Sequence, residues 1–481
     1  MKQIIVLGAS GYIGSQLVPL LLSQGHHVTA AARHRETLEK RFTDHPNLSL
    51  IALDLADDAA VHACIPDFDT VFFLVHGMSH GDHFIDYELS LAQNVCNALR
   101  HSHVQHVIYL SALQPKHGTS AHVDARRQTG VILRNSGVPI SELRAGIIIG
   151  PGSAAFEIMR DFVYNLPILI TPKWVDAKAN PIALDNLNHY LLALVLDPPN
   201  DHQTFDVGGP SIVSYREQFK ILCHLTGKPY RLWSTALLSP NMASHWLSVI
   251  TSVPAPIGKA LLGGLEHDFI AHATPISMRY PQRLLTYTEA SSAAIAQDGE
   301  FIRRKVWGYD PVAINRWQPG FGYYPKQAGA SLSTQVSAEA LWQIIQQTGS
   351  RQQGYFYANP LWRLREWLDI FVGAGRPIRR SPPGPELQVG DYIDSWKVIR
   401  CQPKQFLSLL FGLRAPGLGR LEFTIREENE QRKLDIRAWW HPKGCRGLLY
   451  WFAMMPAHVF IFRGMVRVIE KKARALDNEQ C

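Results

Sequence analysis

The sequence has few cysteines and no long run of hydrophobic residues or of like charges. Its six cysteines are scattered over 481 residues, and none of them forms a Cys-x-x-Cys pair. This pattern predicts neither a zinc site nor a disulfide framework, and it is typical of a protein of the reducing cytoplasm. No stretch resembles a nucleic-acid-binding module, although the net charge of +7 leaves a weak affinity for phosphates or anionic lipid open.

Membrane-directing segments are also sparse. The chain enters an apolar, strand-like stretch within its first residues, so we expect no signal peptide. The most apolar run, residues 447–462, is short for a membrane span and contains a proline and a histidine. We therefore predict a buried helix there and no transmembrane segment. The basic stretch that follows, RGMVRVIEKKAR, leaves peripheral contact with a membrane open.

Length and composition indicate a folded protein of more than one domain. A chain of 481 residues is too long for one ordinary core, and 46% hydrophobic with 19% charged residues is typical of globular proteins. In the first half, strand-like stretches alternate with stretches of helical spacing. The strand-like stretches are QIIVLGA, HHVTAAAR, LSLIALDL, TVFFLVHG, HVIYLSAL and PISELRAGIIIG. Such repeated units predict an α/β fold, a doubly wound parallel Rossmann sheet covered on both faces.

A glycine-rich stretch, GASGYIG, lies where the first predicted strand meets the first predicted helix. Its three glycines are spaced three residues apart. In a dinucleotide site the first allows a tight turn, the second lets the backbone approach the pyrophosphate, and the third allows close packing of helix on strand. The helix N-terminus then faces the phosphates. The predicted cofactor contacts of this stretch are Gly8, Ser10, Gly11, Tyr12, Ile13 and Gly14.

The end of the second predicted strand indicates which dinucleotide binds. An NAD-selective site places an acidic residue there. This sequence has Ala32, followed by Arg33, which lies 19 residues after Gly14. A guanidinium pairs with a 2′-phosphate that a carboxylate would repel. A solvated basic turn is the alternative interpretation, but the pattern favours NADP(H).

Seven stretches of the first half carry a family resemblance. GASGYIG, AAAR, LDLAD, FFLVHGM, YLSAL, LRAGIIIGPGS and FDVGGP together resemble the atypical short-chain dehydrogenase/reductase family, above all its NmrA-like and complex-I-subunit-like branch. The resemblance covers roughly the first 225 residues and extends more loosely to residues 284–296. The resemblance implies that Asp54 and Leu55 flank the adenine. It also implies that Leu74, Val75 and His76 line the ribose and that Ser111 lies near the nicotinamide.

The tyrosine and lysine that this family uses in catalysis are missing. In the stretch SAHVDAR, His122 and Arg126 stand where the resemblance implies tyrosine and, four residues later, lysine. An imidazole exchanges protons near neutral pH, and arginine, which stays charged, can hold a ribose or a phosphate. Two interpretations are open. His122 and Arg126 form a substitute catalytic set with Ser111, or they belong to an exposed helix start without a catalytic role.

A histidine cluster in the stretch HGMSHGDH offers a competing interpretation. His76, His80 and His83 lie close to Asp82 in the sequence. The stretch is rich in glycine and is typical of a loop, so its spacing does not bring the imidazoles onto one helix face. The sequence also has no His-Glu-x-x-His pair. We therefore predict no metal site.

The rest of the chain divides into a helical part and a second domain. Residues 226–330 have short helical patterns that would cover a substrate cleft or dock the next domain. We place the domain boundary near Ala330, because WQPGFGYYPKQAGAS has the proline and glycine content of a connector. The pattern of residues 331–481 predicts antiparallel strands and a long C-terminal helix, which is an α+β fold.

The second domain resembles the helix-grip superfamily of START- and Bet v 1-like proteins. Through GDYIDSW, RLEF and PAHVFIFRGM it looks like the uncharacterised domain that is often fused to these reductases. The resemblance implies an apolar cavity. Five aromatic residues are candidates for its lining or, equally, for an ordinary core, namely Trp396, Trp439, Trp440, Trp451 and Phe460.

Two functional hypotheses follow. The first is a cytoplasmic oxidoreductase that uses NADP(H) to reduce a small apolar carbonyl compound or quinone, which the second domain helps to hold. The second is a non-catalytic NADPH sensor or assembly factor. In that case the second domain binds a lipid-like ligand or a protein partner.

Overall fold

The computed structural model of the chain describes the residues outside 78–82, 236–245, 263, 302–306, 351–352, 363–385, 394–395, 413–414, 429–430 and 481. The chain forms two compact units. The first consists of Met1–Val163 and Pro167–Gln297, and the second of Tyr164–Leu166 and Asp298–Cys481.

The first unit is built on a parallel sheet of seven described strands in the order β11-β6-β5-β4-β1-β2-β3. These strands are β1 (Gln3–Leu7), β2 (His27–Ala32), β3 (Leu48–Ala52), β4 (Thr70–Phe73), β5 (His106–Ala112), β6 (Ile140–Ala145) and β11 (Gln203–Val207). The shorter strands are β7 (Ile148–Ile149), β8 (Leu169–Pro172), β9 (Lys178–Ala179), β10 (Ile182–Ala183), β12 (Val213–Ser214) and β13 (Leu232–Thr235). The order reverses between β1 and β4, which confirms the doubly wound Rossmann sheet.

Helices follow the strands along the chain. In the first unit they are α1 (Tyr12–Ser23), α2 (Arg35–Glu39), α3 (Asp58–Cys64), α4 (Phe84–Leu99), α5 (Ala121–Arg134), α6 (Ala154–Asn165), α7 (Leu184–Leu196), α8 (Tyr215–Thr226), α9 (Ala255–Leu262), α10 (Thr274–Arg279) and α11 (Tyr287–Ala296). Residues Ile65–Asp67 and Lys173–Asp176 form short 3-10 helices.

Alternation along β1 shows why both faces of the sheet are covered. Ile4 and Val6 point into one buried cluster, whereas Ile5 and Leu7 point into another. All four side chains are almost completely buried. A strand with apolar residues at every position is stable only where helices exclude water from both faces, which explains its unbroken apolar sequence.

The second unit contains an antiparallel sheet of six described strands in the order β14-β19-β18-β17-β16-β15. The strands are β14 (Lys326–Thr334), β15 (Tyr392–Ile393), β16 (Trp396–Gln402), β17 (Phe406–Leu410), β18 (Gly417–Glu428) and β19 (Gln431–Pro442). The helices are α12 (Asp298–Phe301), α13 (Pro311–Arg316), α14 (Ala338–Ile345) and α15 (Gly444–Gln480). Helix α15 packs against α14, β14 and β19, so the predicted α+β domain with a long C-terminal helix is confirmed.

The two units divide earlier than the proline and glycine content of the sequence suggested. Ala330 lies in the middle of β14, where it pairs with Ile436 of β19. The presumed connector before it is also part of the second unit. It contributes Trp317 and Phe321 to a buried cluster with Leu418. The boundary therefore lies at residues 297–298 and not near Ala330. The proline and glycine residues of this stretch do not mark a connector, because they lie among aromatic residues that form part of a core.

The aromatic candidates of the second unit have three different environments. Trp396, Trp440 and Trp451 belong to its main buried cluster, where they act as core residues. Trp439 is partly buried, and Phe460 is 55% exposed. Within the described residues these side chains therefore do not form the lining of one common cavity.

Helix α15 differs from the expected buried helix. Its stretch Gly444–Glu479 is, by length and composition, long and apolar enough to cross a membrane, although the core helix of a soluble protein can pass the same test. Only 28% of its most apolar 18-residue window is buried. By itself the apolar run 447–462 is short for a membrane span, but it is part of this much longer helix. The helix is buried along one side only.

Candidate functional site

The glycine-rich loop between β1 and α1 has little room for side chains. Gly8 has a φ of +86°, and a Cβ added there would lie 3.1 Å from the Leu74 carbonyl carbon and from Val75 Cγ2. A Cβ at Gly14 would lie 2.6 Å from the Gly8 carbonyl oxygen. Glycine at these two positions therefore allows the turn and the close packing of α1 onto β1, as predicted.

The N-terminus of α1 fits a pyrophosphate. Gly11 is its N-cap residue and supplies no capping side chain, and the first turn carries no acidic residue. The N–H groups of Tyr12, Ile13 and Gly14 have no acceptor within the helix, because that acceptor would precede the helix start. These N–H groups and the positive end of the helix dipole would bind the phosphates of a dinucleotide.

Arg33 is the predicted contact for a 2′-phosphate. It follows β2 directly and is exposed, and no hydrogen bond or ion pair to it is found among the described residues. The neighbouring Arg35 is instead engaged, because its Nε lies 2.9 Å from Glu39 and its Nη1 donates to the Leu50 carbonyl oxygen at 3.0 Å. Of these two guanidinium groups, that of Arg33 is therefore the one available to a ligand.

The predicted adenine and ribose contacts lie at the ends of β3 and β4. Asp54 is exposed and accepts a hydrogen bond from the Ala56 N–H at 3.0 Å, whereas Leu55 is buried. The segment Leu74–His76 follows β4, and its first two residues face Gly8 across the loop. Because β1, β3 and β4 run parallel, these residues lie at the same edge of the sheet as the glycine-rich loop.

Arg126 lies on α5, and its buried guanidinium contacts the loop after β4 and helix α4. Its Nη1 donates a hydrogen bond to the Val75 carbonyl oxygen at 3.0 Å, and its Nε lies 3.5 Å from the Glu88 carboxylate. Glu88 also accepts a hydrogen bond from the Gly77 N–H at 2.7 Å, and the Tyr109 hydroxyl donates to the Arg126 carbonyl oxygen at 2.9 Å. Burial lowers the pKa of Arg126, but Glu88 and Tyr109 outweigh this effect and raise it. Arg126 is therefore not a residue of an exposed helix start.

His122 and His76 lie close to this guanidinium. Burial first, and then the charges of Arg126 and His76, lower the pKa of His122 to about 3. Burial and Arg126 lower the pKa of His76 to about 4. Both imidazoles are therefore neutral at neutral pH, which differs from the expectation that His122 exchanges protons there. Nδ1 of each ring is buried without a hydrogen-bond partner among the described residues.

Ser111 is buried near the end of β5, on the same side of the strand as Tyr109. Burial raises the pKa of Tyr109 to about 12, so its phenol remains a hydrogen-bond donor. Ser111 thus lies near the end of β5, and His122 and Arg126 lie in the first half of α5, the helix that follows it.

Sequence reasoning missed Glu88 and Tyr109. Glu88 lies on the buried side of α4, which otherwise carries Leu91, Ala92 and Val95. A single acidic residue in register with an apolar helix face was the signal that could have identified it, because a buried carboxylate needs a cationic or hydrogen-bonding partner. Tyr109 gave no such signal, since an aromatic residue in a buried strand is ordinary core.

The histidine cluster can be followed in part. His80 and Asp82 lie outside the described residues. In the part of the chain that the structure describes, no three His, Cys, Asp or Glu side chains come together in a way that would hold a metal ion.

An apolar cavity of about 790 Å³, counting its solvent-open part, lies in the first unit. Its walls include Ile147, Met159, Phe162, Trp174, Phe219 and Leu261. Helix α9, which carries Leu261, packs against α5. Just after α9, a Cβ added at Gly264 would lie 3.5 Å from the Ser120 hydroxyl oxygen. One wall of the cavity therefore adjoins the N-terminus of α5, where His122 lies.

Family comparisons agree with this geometry. Residues 8–153, which carry the glycine-rich loop, Arg33 and the Arg126 cluster, match a family described as NAD(P)H-binding. The first unit contains an NAD(P)H-binding Rossmann domain. Residues 326–465 match a second family, described as protein of unknown function (DUF2867), and we refer to them as the DUF2867 domain.

Three curated proteins are similar to parts of the chain. Cinnamoyl-CoA reductase 1 of Oryza sativa subsp. japonica is 31% identical over 123 residues, which is 24% of this chain and 36% of that protein. A 3 beta-hydroxysteroid dehydrogenase/Delta 5-->4-isomerase of Mycobacterium tuberculosis is 27% identical over 122 residues, or 23% of this chain and 32% of that protein. An uncharacterized protein of Mycobacterium tuberculosis is 26% identical over 214 residues, or 44% of this chain and 22% of that protein. The chain thus spans only 22–36% of the length of these relatives.

Solved structures with a similar backbone include two epimerases. A nucleoside-diphosphate-sugar epimerase from Staphylococcus aureus has 16% identity and a TM-score of 0.49, and covers 61% of this chain and 100% of its own. The UDP-glucuronic acid 4-epimerase from Bacillus cereus, in complex with UDP-glucuronic acid and NAD, has 18% identity and a TM-score of 0.47, and covers 61% of this chain and 97% of its own. Likeness at this level says nothing about the substrate of this chain.

Buried histidines should make the stability of the NAD(P)H-binding domain depend on pH. Burial lowers the pKa of His76 and His106 to about 4 and that of His122 to about 3, whereas an unfolded histidine titrates near 6.5. Below pH 6.5 the unfolded chain takes up protons that the folded chain does not. We expect each histidine to reduce the free energy of unfolding by about 1.4 kcal/mol per pH unit, from pH 6.5 down to its folded pKa. Urea unfolding between about pH 7 and pH 5 measures this slope.

Two single variants test the origin of the slope. His106→Asn should flatten it, because it removes one of the three imidazoles whose pKa burial lowers. His34→Asn, which replaces an exposed histidine, is the matched control and should leave the slope unchanged. Equal slopes in both variants and in the unsubstituted chain would contradict the assignment.

Proposed function

We propose that the chain is an NADPH-dependent oxidoreductase that reduces a small apolar carbonyl compound or a quinone. The observation that carries this proposal is the apolar cavity of the first unit, because α9, which forms part of its wall, packs against α5, the helix that carries His122. Most of its lining side chains are hydrocarbon or aromatic, and Thr171 and Tyr215 supply the side-chain hydroxyl groups.

The chemistry of the lining favours an apolar substrate. A phosphorylated or sugar-like ligand would lose its hydration in such a cavity without gaining hydrogen bonds, which costs free energy for each polar group. A ring or a short chain with one carbonyl group loses little hydration and fills the space. A cavity lined mainly by apolar and aromatic side chains with a few polar groups is typical of small-molecule sites.

The residues of α5 suggest how reduction would proceed. NADPH, when bound, supplies the hydride. The neutral imidazole of His122 can donate a hydrogen bond to a carbonyl oxygen, a role for which a lowered histidine pKa is suited. As negative charge develops on that oxygen, the imidazole can pass its N–H proton to it, which leaves an imidazolate that takes up a proton from solvent. Arg126 acts as a positioning residue, because Val75 and Glu88 already hold its guanidinium.

The names of two relatives are consistent with this class of reaction. One is a cinnamoyl-CoA reductase, and another is a 3 beta-hydroxysteroid dehydrogenase/Delta 5-->4-isomerase. Both matches cover only about a quarter of this chain, so they support the type of chemistry and not a particular substrate.

A non-catalytic NADPH sensor or assembly factor is the second candidate. The engagement of the Arg126 guanidinium favours it, since a buried arginine that holds Val75 and Glu88 stabilises the fold whether or not a reaction takes place. In this case the DUF2867 domain would bind a lipid-like ligand or a protein partner.

We infer a helix-grip fold for the DUF2867 domain. Its first strand, β14, pairs with its last, β19, and α15 packs against both. We also propose a cytoplasmic location, because the five cysteines that the structure describes are all free, as expected in a reducing compartment.

A substrate screen separates the two candidates. The purified full chain is mixed with NADPH and a panel of quinones and apolar aldehydes, and loss of NADPH absorbance is followed. The reductase proposal expects turnover with at least one apolar compound. Tight NADPH binding without any turnover would contradict that proposal and favour the sensor.

Arg33 should determine the preference for NADPH over NADH. Arg33→Ala removes the guanidinium that would pair with the 2′-phosphate, so we expect a loss of about 1–3 kcal/mol in NADPH binding and little change in NADH binding. Arg35→Ala is the matched control, because Arg35 already binds Glu39 and Leu50. Isothermal titration calorimetry of each variant with both dinucleotides measures the difference. Equal affinities for NADPH and NADH in the unsubstituted protein would refute the assignment.

A further inference from the structure

The exposed side of α15 changes character along the helix. Its first turns present apolar side chains, among them Leu449, which is 65% exposed, and Phe460, which is 55% exposed. Ala453 and Pro456 lie between them and are also exposed. Steps of three and four residues place all four on one helix face, which extends for roughly 17 Å at 1.5 Å per residue.

The same face becomes basic in the following turns. Arg463, Arg467, Lys471 and Arg474 continue the spacing of three and four residues, and all of them are exposed. Arg474 forms an ion pair with Glu470 of the same helix, whereas no ion pair of Arg463 or Arg467 is found among the described residues. One continuous helix face therefore presents an apolar half followed by a cationic half.

The opposite side of α15 is fixed to its own domain. Trp451, Phe462, Met465 and Ile469 belong to the main buried cluster of the second unit. A helix that spans a bilayer would have to withdraw these side chains from that core. The exposed face can instead contact a surface while the helix stays on its sheet.

We propose that this face of α15 binds the surface of an anionic lipid bilayer. The apolar half would enter the boundary between headgroups and acyl chains, and the basic half would contact anionic headgroups. An interfacial helix with an apolar surface and nearby Arg and Lys residues binds membranes by this combination of burial and charge.

Charge argues against a second copy of the chain on this face. A parallel pairing of two α15 helices would bring Arg463 and Arg467 of one copy against the same residues of the other. An antiparallel pairing would set guanidinium groups against the apolar half, where they would lose hydration. An anionic bilayer, in contrast, offers acyl chains and negative headgroups within a single surface.

Cosedimentation with lipid vesicles tests the proposal on the full chain. We expect binding to vesicles that contain phosphatidylglycerol and much weaker binding to pure phosphatidylcholine vesicles. Rising salt should weaken the binding, because it screens the headgroup charge. Absence of binding to phosphatidylglycerol vesicles at low salt would overturn the proposal without any variant.

Paired variants test the two halves separately. Leu449→Gln with Phe460→Gln should weaken binding at least about tenfold through lost apolar burial. Arg463→Glu with Arg467→Glu should weaken it by at least about tenfold through lost charge attraction. The matched controls are Met278→Gln and Lys220→Glu, exposed residues of the first unit. Equal losses in the control variants would overturn the proposal.

Two further readouts complete the test. The far-UV circular dichroism and the urea-unfolding midpoint of the second unit should be unchanged in all variants, which shows that the unit carrying α15 is still folded. A concentration-dependent dimer that Leu449→Gln with Phe460→Gln abolishes, together with no vesicle binding, would assign the face to a second copy and overturn the proposal. The inference does not depend on the proposed reductase function.

Discussion

His122→Ala should slow the NADPH-dependent reduction of an apolar aldehyde by about 10²–10⁴-fold, the usual contribution of a general acid or base. The variant loses the imidazole that would hydrogen-bond the carbonyl oxygen and deliver its proton. NADPH affinity should change little, because the glycine-rich loop and Arg33 supply the phosphate contacts. Steady-state turnover and NADPH titration of the same preparations measure both quantities.

The substrate and the pH profile sharpen this experiment. A quinone accepts a hydride without an obligatory acid from the protein, so its reduction should be slowed less than that of an aldehyde. Because the pKa of His122 is lowered to about 3, the rate should show no titration of this residue between about pH 5 and pH 8. Arg127→Ala, an exposed position of the same helix, is the control. Turnover of His122→Ala equal to that of Arg127→Ala would refute the catalytic role.

Glu88→Ala should destabilise the first unit by about 3–5 kcal/mol, because it leaves the buried Arg126 guanidinium without its counter-charge. The Glu88 side chain is 1% exposed and that of Arg126 is 9% exposed, so water cannot replace the lost carboxylate without rearrangement. The Gly77 N–H also loses its acceptor. Urea unfolding of the full chain, compared with the unsubstituted protein, measures the loss.

Two companion variants separate charge from hydrogen bonding. Glu88→Gln keeps an acceptor oxygen for Gly77 but removes the charge, so its loss should be intermediate. Asp124→Ala breaks the exposed pair between Asp124 and Arg127 on α5, which should cost about 1 kcal/mol or less. If Glu88→Ala costs no more than Asp124→Ala, the buried ion pair does not stabilise the end of β4.

Local patterns were sufficient for the parallel sheet and the glycine-rich loop. Six of the seven described strands of the first sheet could be predicted, because strand-like stretches alternate with stretches of helical spacing along the chain. The seventh, β11, has the alternating burial of an edge strand and was not predicted. The role of Gly8 could be predicted because a tight turn needs a residue without a side chain. In the structure its φ is positive and its close approach to Leu74 leaves no room for a side chain.

The domain boundary and the character of α15 were predicted less well. The proline and glycine residues near Ala330 indicated a connector, but Trp317 and Phe321 of the same stretch pack into a core. The apolar run 447–462 predicted a buried helix, but a helix that packs against one sheet buries one side. Composition measures how apolar a segment is, and it does not measure which side meets a neighbour.

The sequence by itself therefore determined the fold class, the dinucleotide loop and the position of His122 and Arg126 after the fifth strand. These features depend on residues that are close together in the chain, where sterics and hydrophobic periodicity act directly. Only the tertiary structure decided that Glu88 neutralises Arg126 and that His122 is neutral at physiological pH. Burial and charge depend on partners that are distant in sequence, because a pKa and a buried ion pair are set by everything within a few ångströms of the group.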